Sequence, residues 1–89
     1  MAAVEKLKES IAKEMGTYGK NEVKNAIEGG AAESLLLISE MTKESEGLEL
    51  LEMALKNRTE VIEISSHHHG GEMLIGLGGV AVILRYKLT

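Results

Sequence analysis

Several residue types that carry common chemistry are missing from this chain of 89 residues. It has no cysteine, proline, tryptophan or phenylalanine, and its tyrosines are Tyr18 and Tyr86. Without cysteine there are no disulfides, no thiolate nucleophile and no cysteine-bound zinc or iron–sulfur cluster, which fits a reducing cytosol. Two tyrosines give no platform on which nucleic acid bases could stack. No proline-rich linker divides the chain, and its length suits a single domain, residues 1–89, with one modest core.

Positive charge is also in short supply. Acidic residues outnumber basic ones by 14 to 10, which gives a formal net charge of -4. Because phosphate backbones are bound by clustered lysine and arginine, this balance disfavours direct binding of RNA or DNA. The apolar runs at residues 35–38 and 80–84 are far shorter than the roughly 20 residues of a membrane-spanning helix. With no signal peptide visible, we expect a cytoplasmic domain.

Apolar residues at steps of three and four predict four helices, which cover residues 2–15, 21–28, 46–57 and 72–77. In the first helix, the residues expected to face the core are Val4, Leu7, Ile11 and Met15. The second helix, with Asn21 as its N-cap, is expected to bury Val23, Ala26 and Ile27. In the third helix the predicted stripe is Leu48, Leu51 and Leu55, supported by Leu50 and Ala54.

Three strands are predicted between and after these helices. Residues 35–38 form a continuous apolar run, which is typical of a strand covered on both faces. Residues 59–64 alternate, so one face of that strand is expected to be less deeply buried, and residues 80–88 are rich in β-branched side chains. Residues 16–20 are interpreted as a helix stop and a turn. The order favours an α/β fold, a small three-layer sandwich with a mixed or mostly parallel sheet of three or four strands.

Three consecutive histidines, His67, His68 and His69, raise the question of a metal site. Adjacent residues of an extended segment point to opposite sides, so three in a row cannot easily close on one ion. The carboxylates nearest in sequence are Glu63 and Glu72. We favour a solvated loop over residues 65–70 that caps the following helix, and we predict no metal ligand and no cofactor.

The glycines near the end of the chain do not predict a phosphate-binding loop. A dinucleotide loop connects a strand to a long helix, whereas Gly76, Gly78 and Gly79 follow a short helix and precede a strand. Gly78 and Gly79 are better interpreted as a helix stop and a tight reversal into the last strand. A catalytic triad would require Ser65 or Ser66 without the strained elbow that such serines occupy. We therefore predict no catalytic residue and no enzyme activity.

Two separated stretches, YGKNEVKNAIEGGAAESLLLIS at residues 18–39 and EISSHHHGGEMLIGLGGVAVILRY at residues 63–86, carry a family resemblance. The pattern of Tyr-Gly, Gly-Ala and a Leu-rich strand ending in Ile-Ser, followed by Ser-Ser-x-His, Gly-Glu, Leu-Gly-Gly and Ile-Leu-Arg-aromatic, resembles the C-terminal domain of the Pelota family. This family is paralogous to the class 1 translation release factors of archaea and eukaryotes. Of the three histidines, only His68 falls on the family histidine; His67 and His69 depart from the pattern.

The resemblance implies a fold similar to that of the ribosomal proteins that bind kink-turn RNA. It also implies a protein-docking role in the rescue of stalled ribosomes and in mRNA surveillance (no-go decay). The expected partners are an elongation-factor-like translational GTPase, an ABC-type ribosome-recycling ATPase and, within a full-length protein, the ribosome. The chain is then expected to be the last domain of a longer three-domain protein, similar to domain 3 of the release factors, and its end at Thr89 resembles archaeal members.

Two alternatives remain beside this interpretation. One is the third domain of an archaeal peptide chain release factor, although residues 40–47 are short and lack the zinc-binding cysteines of the minidomain that many such factors insert there. The other is a kink-turn-type RNA-binding domain, which would require Lys20, Lys24 and Lys43 to converge next to the loop before the short helix. The acid excess of the chain argues against RNA binding.

The family comparison places the first helix in the partner surface. If its apolar stripe faces the core, the docking face is left with Glu5, Lys8, Glu9 and Ala12, a polar rim of the kind that tunes association. A solvated helix face is the alternative for each of these residues. The complete set of predicted partner-binding residues is Glu5, Lys8, Glu9, Ala12, Tyr18, His68 and Arg85. For Arg85, an ion pair with a nearby carboxylate is favoured over a partner contact.

Overall fold

The computed structural model describes residues 2–86, with the backbone alone at residues 2–4 and at His69. Helices and strands alternate along the chain, as predicted. Their order is α1 (Ala2–Ala12), β1 (Gly16–Tyr18), α2 (Lys20–Glu28), β2 (Ala32–Ile38), a 3₁₀ helix (Ser39–Lys43), α3 (Ser45–Lys56), β3 (Glu60–Ile64), α4 (His69–Gly76) and β4 (Val80–Leu84). None of the helices in this part of the chain has the length and apolarity needed to cross a membrane.

The four strands form one mixed sheet in the order β1-β4-β2-β3. β2 and β3 are parallel, whereas β4 runs antiparallel to both β1 and β2. All five residues of β4 and six of the seven in β2 are buried. Because consecutive side chains of a strand point to opposite faces, burial along the whole strand shows that the centre of the sheet is covered on both sides. The predicted α/β sandwich with a mixed sheet is confirmed.

The strand β1 was not predicted from the sequence, which indicated a turn there. Gly16, Thr17 and Tyr18 pair with Ile83, Val82 and Ala81 of β4. A strand of three residues is too short to show an alternating pattern, and its conformation is fixed by pairing with a distant strand. The predicted end of α1 at Gly16 is also wrong. The helix ends at Ala12, and the residue after it that has a left-handed backbone is Glu14, with φ 61°, and not a glycine.

The start of α2 also differs from the prediction. The helix begins at Lys20, directly after Gly19, so Asn21 lies inside the first turn instead of capping it. Gly19 has a φ of 88°, a left-handed conformation that a glycine adopts without steric cost, and it makes no side-chain cap. The chain therefore enters α2 from β1 through a glycine turn.

Much of the predicted core is confirmed. The fully buried side chains include Leu7 of α1 and Val23 and Ile27 of α2. Ile11 and Met15 are only partly buried, and the prediction for Val4 concerns a side chain outside those that the structure describes.

The predicted inward face of α3 is confirmed only in part, because Leu50 and Ala54 are buried and Leu51 packs against the core, whereas the outer members of the leucine stripe are exposed. Leu48 and Leu55 are 50% and 76% exposed, and the residues that face the core are Gly47, Leu50 and Ala54. The two triplets have the same spacing and differ by one position, which rotates the buried face by about 100°. The cause is Gly47, because a Cβ at this position would overlap the backbone carbonyl of Met41. A glycine here lets α3 lie directly against the 3₁₀ helix, and Leu48 and Leu55 face outward.

We expect Gly47→Ala to lower the free energy of unfolding by about 1 to 3 kcal/mol, because the added methyl group must push α3 away from the Met41 carbonyl. Gly76→Ala is the matched control. Nothing lies within 4 Å of a Cβ at Gly76, and alanine favours a helix over glycine by up to about 1 kcal/mol. Urea unfolding of the two variants beside the wild type measures both effects. Equal stability of Gly47→Ala and the wild type would contradict this account of how α3 is oriented.

Candidate partner-binding site

The predicted docking face of α1 is exposed. Glu5, Lys8, Glu9 and Ala12 all lie at the surface, while Leu7 on the opposite side is fully buried. Lys8 Nζ lies 3.9 Å from Glu5 Oε1, and Lys6 Nζ lies 3.8 Å from Glu33 Oε2 at the irregular start of β2. These pairs are solvent-exposed and contribute little to stability. The face is thus available to a partner, and its role in binding remains a prediction.

The other three predicted residues lie in different parts of the molecule. Tyr18 is 48% exposed on β1, and the exposed His68 follows β3, which forms the opposite edge of the sheet. Three strand spacings, or about 14 Å, separate these two edges. Arg85 follows β4 at the end of the sheet where β2 begins, since Leu84 pairs with Ala32. The sequence therefore identified exposed residues that the fold does not bring together into one patch.

Arg85 connects three chain segments through backbone carbonyls. Its Nε donates to the carbonyl of Ala32 at 3.1 Å, and a terminal nitrogen donates to Arg58 at 3.2 Å and, more weakly, to Asn57 at 3.5 Å. Its backbone N–H donates to the carbonyl of Ala31 at 2.7 Å. The predicted carboxylate ion pair is thus replaced by hydrogen bonds that join the end of β4 to the start of β2 and the end of α3. A structural role accounts for these contacts.

The lysines that would have to converge for RNA binding are mostly engaged with acids. Lys20 Nζ lies 2.8 Å from Glu46 Oε2, and Lys24 Nζ lies 3.0 Å from Glu49 Oε1, so both lysines of α2 pair with carboxylates of α3. The hydrogen bond and the charge of each glutamate raise the pKa of its lysine. The third candidate, Lys43, ends the 3₁₀ helix and does not line the groove in which Lys20 and Lys24 meet Glu46 and Glu49. Because each is paired with a glutamate, Lys20 and Lys24 do not form a basic cluster for RNA.

The loop between β3 and α4 is built by its serines and by a glycine. Ser65 accepts two hydrogen bonds from the loop backbone, one at Oγ from the N–H of His67 at 3.2 Å and one at its carbonyl from the N–H of His68 at 3.1 Å. A Cβ on Gly71 would overlap the Ser65 carbonyl, so this position also requires a close backbone approach. His67 and His68 are exposed, and His68 precedes α4 without making a side-chain cap.

The histidine side chains that the structure describes do not assemble a metal site. Over this part of the chain, no three histidine, aspartate or glutamate side chains lie close enough together to hold a metal ion. The side chain of His69 is outside the described residues.

One contact across the loops was not visible in the sequence. Ser66 Oγ donates a hydrogen bond to Glu40 Oε2 at 2.6 Å, joining the loop after β3 to the 3₁₀ helix after β2. This hydrogen bond is the largest cause of a lowered pKa of the Glu40 carboxyl. A second hydrogen bond, from the backbone N–H of Glu40 itself, lowers the pKa further. Beside this contact lies an open cleft, which we name the β2 cleft and which is lined by Ile38, Glu40, Met41, Glu44, Ser66, Ile75, Gly78 and Gly79.

We expect Arg85→Ala to lower the free energy of unfolding by about 1 to 2 kcal/mol, because three carbonyl groups lose a charged donor. Arg85→Lys keeps the charge but not the forked donor geometry, so it is expected to lose most of the same stability. Lys13→Ala, at an exposed position after α1, provides the control. Urea midpoints that are the same for all three variants and the wild type would show that the Arg85 contacts do not stabilise the fold.

We expect Ser66→Ala to raise the pKa of Glu40 toward its ordinary value and Ser66→Thr, which keeps a hydroxyl donor, to leave it low. Carbon-detected NMR titration of the Glu40 carboxyl measures both. Because the pKa is depressed in the folded state, the stability that this contact provides is present above the ordinary pKa of glutamate and is lost as the pH falls through the folded value. A Glu40 pKa unchanged in Ser66→Ala would contradict the assigned cause.

The chain resembles known proteins over nearly its whole length. The family model of eRF1 domain 3 matches residues 1–88. The Pelota homolog of Pyrococcus horikoshii is 46% identical over 89 residues, which cover 96% of this chain and 25% of that protein. This chain thus spans about a quarter of the length of the curated relatives that it matches.

Solved structures agree with this result. The Pelota protein of Thermoplasma acidophilum superimposes with a TM-score of 0.92 at 29% identity, covering 98% of this chain and 28% of that one. A model of ribosome-bound archaeal Pelota and ABCE1 gives 0.84 at 39% identity, covering 99% and 26%. S. cerevisiae Dom34, a translation termination-like factor that interacts with Hbs1, gives 0.88 at 29% identity, covering 98% and 27%. The chain belongs to the eRF1 domain 3 family, and it matches the C-terminal domain of Pelota proteins in sequence and in structure.

Proposed function

We propose that this chain is the protein-docking domain of a Pelota-type ribosome-rescue factor that acts in the cytoplasm, and that it works as one domain of a longer protein. The observation that carries the proposal is the match over nearly the whole chain to Pelota proteins, of which it spans a quarter. One of these is ribosome-bound together with ABCE1, and Dom34 interacts with Hbs1. The proposed partners are accordingly an elongation-factor-like translational GTPase and an ABC-type ribosome-recycling ATPase.

The side-chain geometry favours binding over catalysis. Ser66 Oγ donates a hydrogen bond to the Glu40 carboxylate, and Ser65 Oγ accepts one from the backbone N–H of His67. A serine nucleophile needs an effective base to take its proton, and the Glu40 carboxylate, whose pKa is lowered by this hydrogen bond, is a weaker base than an ordinary carboxylate. The two serines are therefore committed to the architecture of the loops.

The charges favour a protein partner over RNA. Lys20 and Lys24 are neutralised by Glu46 and Glu49, and the exposed face of α1 carries Glu5 and Glu9 beside Lys8. Such a surface offers little net attraction to a phosphate backbone. It suits a partner that presents a complementary mixture of charges, which speeds association and selects against wrong partners.

The test is a titration of this chain against the archaeal elongation-factor-like GTPase and the ABC-type recycling ATPase, with a kink-turn RNA titrated in parallel at physiological salt. We expect saturable binding to at least one of the proteins and none to the RNA. Binding to RNA alone would overturn the docking proposal. The double variant Glu46→Gln/Glu49→Gln serves as an electrostatic control, because it releases Lys20 and Lys24 from their acids. It should gain RNA affinity at low salt and keep its affinity for the protein partner.

A further inference from the structure

The β2 cleft lies where β2 ends and has a volume of about 540 Å³, within the range of sites that bind small groups. Its floor is apolar. Met41 is buried beneath Gly79, since a Cβ at that glycine would lie 3.5 Å from Met41 Cγ and 3.7 Å from the sulfur. Gly79 also accepts a hydrogen bond from the N–H of Ile38 at 3.0 Å, which fixes the floor to the end of β2.

The apolar surface continues up one wall of the cleft. Ile75 of α4 is 52% exposed there, although isoleucine is among the residues most often fully buried. Gly78 and Gly79 adopt φ values of 99° and 86°, so this side of the cleft is bare backbone that a larger residue would strain. The cleft thus offers an aliphatic surface open to solvent and unobstructed by side chains at the two glycines.

The rim has one sign of charge. Glu40 and Glu44 lie on it, and among the side chains that the structure describes, none that lines the cleft is basic. Ser66 holds the Glu40 carboxylate in place at 2.6 Å. Lys43 and His67 lie near enough to favour the charged form of Glu40 without lining the cleft. A phosphate or carboxylate ligand would meet two like charges, whereas a cation would meet two opposite ones.

An apolar floor below two carboxylates matches a side chain with an aliphatic stem and a cationic head. Arginine and lysine both bury their methylene groups on apolar surface while the head stays near water. Arginine fits better, because its guanidinium is weakly hydrated and can donate to two carboxylates at once. We propose that the β2 cleft is the docking site for an arginine side chain of a partner protein. That a partner protein supplies the arginine rests on the proposed docking function. That the cleft binds a guanidinium group rests on the residues that line it.

The first experiment tests the cleft without any partner. N-acetyl-arginine amide and its neutral isostere N-acetyl-citrulline amide are titrated into the chain while backbone amide shifts are recorded by NMR. We expect the arginine probe alone to shift the amides of Met41, Ser66, Gly78 and Gly79. Glu40→Gln/Glu44→Gln should abolish these shifts, and the control Glu5→Gln/Glu9→Gln on α1 should keep them. Equal shifts with citrulline, shifts centred on α1, or no shift up to the solubility of the probe would each overturn the proposal.

The second experiment uses whichever partner binds the wild-type chain. We expect Glu40→Gln/Glu44→Gln to weaken that binding about tenfold. Ile75→Gln, at a half-exposed position, should weaken it as well, and the control Glu22→Gln/Glu52→Gln, at exposed positions outside the cleft and outside α1, should keep the wild-type affinity. Wild-type affinity in both cleft variants would overturn the arginine site and leave the docking function standing. A positive arginine probe with no partner binding would support the cleft and refute the docking function.

Discussion

The close approach of Gly47 to the Met41 carbonyl is the constraint that sets the position of α3 against the rest of the fold. It brings α3 against the 3₁₀ helix and fixes which side of α3 turns toward the sheet. That rotation places Glu46 and Glu49 beside the lysines of α2, where they form ion pairs of 2.8 and 3.0 Å. The same contact holds the Met41 segment at the end of β2, where its side chain forms the floor of the β2 cleft. The ion pairs between α2 and α3 and the floor of the β2 cleft therefore both depend on this contact.

The sequence predicted those parts of the fold that local pattern determines. The apolar run at residues 35–38 indicated a strand buried on both faces, and β2 is such a strand. The spacing of Val23, Ala26 and Ile27 predicted the buried side of α2 correctly. The prediction from sequence failed where two local patterns were equally good or where no local pattern existed. α3 carries two stripes of the same spacing, and a glycine in one of them concealed that it is the buried one. β1 has three residues, and only its pairing with β4 makes it a strand.

The candidate site was harder to predict than the fold, for a reason visible in its contacts. Ser66 and Glu40 are 26 positions apart and meet only because β2 and β3 are parallel neighbours whose carboxyl ends lie side by side. Glu40 and Glu44 belong to a polar run that resembles a solvated loop, and Gly78 and Gly79 were explained by the turn they make. Each residue had a sufficient local interpretation, so nothing in the sequence indicated that they share one cleft.

The position of β4 has a consequence for how the molecule is made. β4 lies between β1 and β2, yet it is synthesised after both of them, more than 40 residues after β2 begins. Until it arrives, β1 has no hydrogen-bonding neighbour and β2 presents an open, apolar edge. Before β4 is synthesised, the β2–β3 pair is the part of the described sheet for which both strands are present. Completion of the sheet therefore depends on one late segment, Val80–Leu84, which must insert between β1 and β2.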